Sequence, residues 1–203
     1  MTVYYVSQLD YTYTPYPTRT DPDHPEHANG HSSTVRTSGC GLCAAVMVAH
    51  RLRGDTTFSV MDALALAMKT GANHGRGTDY RIFAPAFSER EGLAWEATGD
   101  GEKLDRCLAE GGCAVAHIRI RPDGSLPILS RGTGHYVTVI GRESDGRYAV
   151  LDPSFSVEKY QDPYRAAKAE LRGTVVFVEP DALYADVATM GDRGFYLFRL
   201  KDR

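Results

Sequence analysis

The hydrophobic pattern changes period partway along the chain, and that change restricts the fold more than any other feature. In the first half, Cys43, Val46, Met47 and His50 fall at helical spacing and define a helix over 40–53 that Gly54 closes. Ser59 caps a second helix over 60–69, with Gly71 after it and Met61, Leu64, Leu66 and Met68 as its core side. Thr78 or Asp79 opens a third helix reaching about Arg90, and 103–110 makes a short fourth. From Cys113 onward the pattern becomes that of strands, over 113–120, 135–142, 147–151, 174–178 and 195–200. The tight turn Ser144-Asp145-Gly146 joins two of them as a hairpin. Residues 2–6, rich in Tyr and Val, read as one more short strand. Helices first and strands later, without βαβ alternation, predict the α+β class with an antiparallel sheet. In 203 residues there is no internal repeat, low-complexity tract or linker, so a single domain over 1–203 is expected.

Composition narrows the function. A formal net charge of −3 offers no basic face of the kind nucleic acid requires. The strongest apolar run, 43–49, is about a third of the ~20 residues a membrane span needs. The N-terminus has neither a basic region nor an apolar run of signal length, so a cytoplasmic protein with reduced thiols is expected. Residues 10–39 carry no period and hold Pro15, Pro17, Pro22, Pro25, Asn29 and Gly30, which reads as a functional or mobile loop. Within it, His24, His27 and His31 stand among Asp21, Asp23 and Glu26. A solvated loop, placed to fold over a cleft as a lid, explains them better than a metal site, and no metal or other cofactor is expected.

The strongest chemical constellation begins at Ser38-Gly39-Cys40-Gly41, where a polar loop turns into an apolar helix. A helix N-terminus presents unsatisfied N–H groups and partial positive charge, which favour thiolate over thiol. The flanking glycines let the backbone approach a substrate carbonyl, and the Cys40 N–H can supply part of an oxyanion hole. A cysteine nucleophile needs a base. His135, one of seven histidines, starts a strand directly after Gly132-Thr133-Gly134. Asp152 follows the next strand, so the hairpin turn brings His135 and Asp152 to the same open end, within reach of each other.

The order Gln8, Gly39-Cys40-Gly41, 134–139 as Gly-His-Tyr-Val-Thr-Val and Leu151-Asp152-Pro153 resembles the C39-like family of papain-fold cysteine peptidases. The resemblance runs from about Tyr5 to Ser154. It implies Cys40 as nucleophile, His135 as general base and acid, Asp152 as the residue orienting the imidazole, and Gln8 as the oxyanion-hole glutamine. It also implies that the Cys40 helix packs against the sheet carrying His135 and Asp152. Where relatives usually read Gly-Cys-Gly-Pro-Thr, this chain has Leu42 and Cys43, a second thiol one turn on.

The expected activity is therefore thiol-dependent cleavage of a peptide or amide bond, with acyl transfer as a close variant. The partner is a peptide or protein, a cell-wall peptide included. Two other readings stand beside it: a catalytically silent papain-like binding module, and a dithiol oxidoreductase using Cys40 and Cys43 as a C-x-x-C pair. A zinc site would have to add Cys107 and Cys113, which read more simply as buried thiols in a helix and a strand. Tyr4, Tyr5, Tyr11, Tyr13 and Tyr16 read as packing residues, a few near Gln8 being candidates for a substrate groove.

Overall fold

The computed structural model of the protein describes residues 3–18, 33–74, 76–132 and 134–201. His24, His27 and His31, with the acidic residues between them, lie outside the described residues. The centre of the fold is an antiparallel sheet of seven strands in the order β1-β7-β2-β3-β4-β6-β5. These are β1 (Leu93–Thr98), β2 (Cys113–Ile118), β3 (His135–Arg142), β4 (Tyr148–Leu151), β5 (Ala169–Arg172), β6 (Val175–Val178) and β7 (Phe195–Leu200). The expected hairpin is β3–β4, closed by Glu143 N–H donating to the Arg147 carbonyl at 2.8 Å.

The helices are α1 (Val35–Ser38), α2 (Cys40–Arg53), α3 (Val60–Thr70), α4 (Tyr80–Glu91), α5 (Gly101–Ala109), α6 (Val157–Gln161), α7 (Pro163–Ala166) and α8 (Pro180–Val187). Residues from Gly41 to Ala49 of α2 are all buried, as befits a helix apolar on every side. It lies across the sheet, where Thr138 Oγ1 of β3 donates to the Ala44 carbonyl at 3.2 Å. Strand side chains divide by alternation. Val115, Tyr136, Tyr196 and Phe198 join the core with α2, α3 and α4, whereas Ala114, Val137, Val139 and Leu197 face Leu104 of α5 and Leu183 of α8. Helices thus cover both faces, so the central strands are apolar on both sides.

Three sequence expectations need correction. Residues 3–6 form no strand. Both β3 and β4 already have partners on each side, so no sheet edge is free near them. The segment instead runs over the end of β4, with Tyr5 donating from its hydroxyl to the Asp152 carbonyl at 2.9 Å. In α3 the core side is Val60, Ala63 and Ala67, while Met61 and Met68 are exposed at 53% and 41%. Small residues let α3 approach its neighbours; Leu64 and Leu66 pack part-buried against the core as expected, and the two methionines turn outward. Finally, helices do not simply precede strands: β1 falls between α4 and α5, and α6, α7 and α8 follow β4.

Candidate active site

Cys40 is the first residue of α2, and α1 ends two residues earlier, so two helices meet at Gly39. A Cβ on Gly39 would lie 2.5 Å from the Val35 carbonyl oxygen, and one on Gly41 2.9 Å from Thr78 Cβ. Only glycine on either side lets the chain turn this tightly while α2 presses against the Thr78 segment. Cys40 is half-buried, whereas Cys43, Cys107 and Cys113 are buried, and all four are free thiols.

His135 opens β3 and Asp152 directly follows β4. Their side chains meet, with His135 Nε2 at 2.6 Å from Asp152 Oδ1. Nε2 is thereby committed, which leaves Nδ1 for Cys40, whose thiol is near enough to the imidazole to be acted on by it. The three residues singled out by spacing form one connected chain.

Behind Asp152 lies a set of groups that the sequence did not disclose. Lys159 Nζ, on a side chain 1% exposed, donates to Asp152 Oδ2 at 2.6 Å and to the Leu129 carbonyl at 2.9 Å. Tyr160 donates to the same Oδ2 at 2.7 Å, and the Ser154 N–H to Oδ1 at 2.8 Å. Ser154 Oγ lies within hydrogen-bond distance of both Asp152 Oδ1 and His135 Nε2. The only sequence signal was a lysine and a tyrosine in a helix just after Asp-Pro-Ser, and no periodicity argument points such residues back at the turn.

These contacts set the ionisation. Burial alone would raise the Asp152 carboxyl, but the Lys159 ammonium and His135 outweigh it and hold it far below its ordinary range. Burial disfavours imidazolium at His135, yet Asp152 and the Cys40 thiolate raise its pKa to about 9. Burial likewise pushes the Cys40 thiol up. The hydrogen bond and charge of His135, with backbone hydrogen bonds from Tyr136 and Gly41, leave it below the usual 9.0. The arrangement favours a thiolate–imidazolium pair. For Cys43, burial and the neighbouring Cys40 charge push the thiol up instead.

Gln8 is buried against the turn after β4, its N–H donating to the Pro153 carbonyl at 2.8 Å. Its Nε2 donates to the Arg36 carbonyl of α1 at 2.6 Å, and its Oε1 is buried without a partner. Gln8 therefore ties the segment beside Asp152 to the helix preceding Cys40, and it does not line the cleft on which Cys40 opens. Nor do Tyr4, Tyr5, Tyr11, Tyr13 or Tyr16; Tyr13 is 93% exposed and Tyr16 fully buried. Cys107 Sγ lies 3.8 Å from the Cys113 carbonyl, and both thiols are packed into the core.

The cleft has a volume of about 240 Å³. Its floor is Cys40, His135 and Tyr136, one wall is the 76–81 segment, and the other is the adjoining ends of β2 and β7. The arrangement can hold an extended substrate against a thiolate whose imidazole partner is fixed from behind.

No family model matches the chain, and no curated protein matches it. Among solved structures, the chain is similar to a Bacillus anthracis protein provisionally assigned to the C39-like peptidases. The two share 12% identity at a TM-score of 0.57, over 100% of this chain and 96% of the other. At that identity the likeness is one of fold, and it matches the architecture found above. The chain has the α+β, papain-like fold of a C39-like peptidase.

Proposed function

We propose that the protein is a thiol hydrolase that cleaves a peptide or amide bond through Cys40, His135 and Asp152. The observation that carries this reading is a half-buried thiol beside an imidazole that is hydrogen-bonded to a carboxylate which four further donors hold in place. The Cys40 thiolate attacks the carbonyl carbon, forming an S–C bond as the π electrons move to oxygen. On collapse the C–N bond breaks, and the His135 Nδ1 proton passes to the leaving amine. Neutral His135 then takes a proton from water, whose oxygen attacks the thioester and expels the thiolate. Asp152 keeps Nε2 occupied throughout, so Nδ1 always faces the chemistry.

The developing oxyanion is held by the Cys40 N–H, at the first position of α2, where a helix leaves its amide groups without intrahelical acceptors. Gln8, which does not line the cleft, braces the turn at Asp152 against α1 in this reading and is not assigned as an oxyanion donor.

Iodoacetamide labelling of the full chain across pH, with Cys40 followed by peptide mass mapping, is the direct test. In the intact protein Cys40 labels with a midpoint below 9.0, and in His135→Ala the midpoint rises because burial is then opposed only by backbone hydrogen bonds. A screen with peptide amides reads turnover in parallel. Were Cys40 to label only at the ordinary thiol pH in both proteins, with no peptide amide cleaved, the silent binding module would replace this reading.

A further inference from the structure

The cleft at Cys40 is strongly basic in a protein whose net charge is −3. Arg76, Arg81, Arg119 and Arg193 line it, against one carboxylate, Asp79. Arg81 pairs with Asp79, its Nε at 3.0 Å from Oδ1. The other three arginines are exposed and have no carboxylate partner among the described residues.

Two of them are set in place by the sheet. Ile118 of β2 stands opposite His135 of β3, so Arg119 comes one residue past the strand, beside Gly134. Its Nη1 lies 3.5 Å from where a Cβ on Gly134 would be, next to the imidazole, and its own N–H is fixed on the Asp186 carbonyl at 2.8 Å. On the far side of β2, His117 N–H donates to the Gly194 carbonyl at 2.9 Å, which brings Arg193 to the same end. Neighbouring strand ends therefore carry Arg193, Arg119, His135 and Asp152 in a row. His117 lies under them, stacked on Tyr136 at 4.3 Å, with a buried Nδ1 that has no partner. Burial, Arg119 and Arg193 push its pKa down to about 4, so it stays neutral and offers a polar nitrogen rather than a further charge.

We propose that the cleft selects an acidic peptide, one that carries a carboxylate about one residue from the scissile bond and pairs it with Arg119 and Arg193. Guanidinium groups match a carboxylate in two parallel hydrogen bonds. A thiolate has the same sign as the carboxylate, and the arginines between them offset the repulsion. The inference rests on Cys40 being the reactive thiol, and it adds the substrate class.

Two alkylating reagents of nearly equal size test it without any known substrate. Cys40 in the full chain is alkylated with iodoacetate, an anion, and with iodoacetamide, which is neutral. The ratio of the two rates reports the local field, because a change in thiolate fraction cancels. Relative to a small free thiol, the ratio in the intact protein is raised about 3–10-fold at low salt and falls as salt is added. In Arg119→Gln/Arg193→Gln it falls by more than half toward the free-thiol value, Arg76 and His135 accounting for the remainder. Protection of Cys40 by an acetylated Ala-Glu-Ala amide and by an acetylated Ala-Ala-Ala acid, each at millimolar concentration, separates a side-chain carboxylate from a chain end. An unraised ratio at a readily labelled Cys40, or equal protection by the neutral Ala-Ala-Ala amide, overturns the acidic preference and leaves the hydrolase reading standing. A Cys40 that resists both reagents overturns the hydrolase reading and this inference with it.

Discussion

Lys159 is the most informative residue to change. Its ammonium is buried and stands 2.6 Å from Asp152 Oδ2. At an effective dielectric constant of ~20, that separation gives a gross attraction of about 6 kcal/mol. Several kcal/mol of this offset the removal of the ammonium from water, so the pair contributes little against an apolar replacement. Removing one partner is different. Lys159→Met keeps the apolar stem but leaves the Asp152 carboxylate buried with His135, Tyr160 and Ser154 only, an expected loss of about 3–5 kcal/mol. Asp152→Asn leaves the ammonium facing the Leu129 carbonyl and Ser154 Oγ, at a similar cost. The double variant removes both charges and is expected to lose only about 1–2 kcal/mol, so the coupling in the cycle is about 4 kcal/mol or more.

Equilibrium urea unfolding of the four proteins at neutral pH measures it, with shifted midpoints at a common slope. The pH dependence follows from Asp152. Its folded pKa is depressed below the ordinary 3.8, so its contribution is complete above pH 3.8 and is lost as pH falls through the folded value. The gap between the intact protein and Lys159→Met is therefore full above pH 3.8 and narrows below it. A cost under about 1 kcal/mol for Lys159→Met would refute the reasoning, since that is what a solvent-screened surface pair delivers.

Two further outcomes are expected. Hydrolysis of a peptide amide requires the thiolate and the imidazolium together, so kcat/KM falls in acid as Cys40 takes a proton and falls in alkali as His135 loses one near pH 9, whereas alkylation of Cys40 shows the acid limb alone. Matching profiles for the two reactions would remove His135 as the acid. Cys43→Ala, which trims a fully buried thiol, costs about 1–2 kcal/mol of stability yet leaves Cys40 alkylation and hydrolysis in place. Loss of both in that variant would favour a dithiol mechanism.

What could be read from the sequence was whatever depends on local order. Gly39 and Gly41 announced a tight helix start, and Ser144-Asp145-Gly146 announced the hairpin that fixes His135 and Asp152 at one end. The aromatic-rich apolar run opening 195–200 read as a strand with the observed bounds. Features set by long-range contact were not legible. β1 and β5 are edge strands, with Glu96 and Glu170 among their residues, and their pairing is decided by β7 and β6. Residues 3–6 have the composition of a strand, but no free edge receives them, so packing overrides propensity. Lys159 is the sharpest case. Lysine is a surface residue by composition, and only the fold of α6 against the turn after β4 turns it inward.

The position of the charges explains why burial does not abolish the site. A helix N-terminus carries only about half a positive charge, which is too little by itself to counter the desolvation of a thiolate at Cys40. The required charge is instead relayed in alternating sign from α6 across two strand ends to α2: ammonium at Lys159, carboxylate at Asp152, imidazolium at His135, thiolate at Cys40. Each buried ion has an opposite neighbour, and the four sum to zero, so the row is tolerated as a whole though no member would be tolerated alone. Such a row transmits single losses and absorbs paired ones. Replacing Lys159 strips Asp152 of its cation and leaves the carboxylate to draw on His135 alone, whereas replacing Lys159 and Asp152 together returns the remaining pair, Cys40 and His135, to neutrality. The stability cycle and the alkylation profile therefore report on the same four groups from opposite ends.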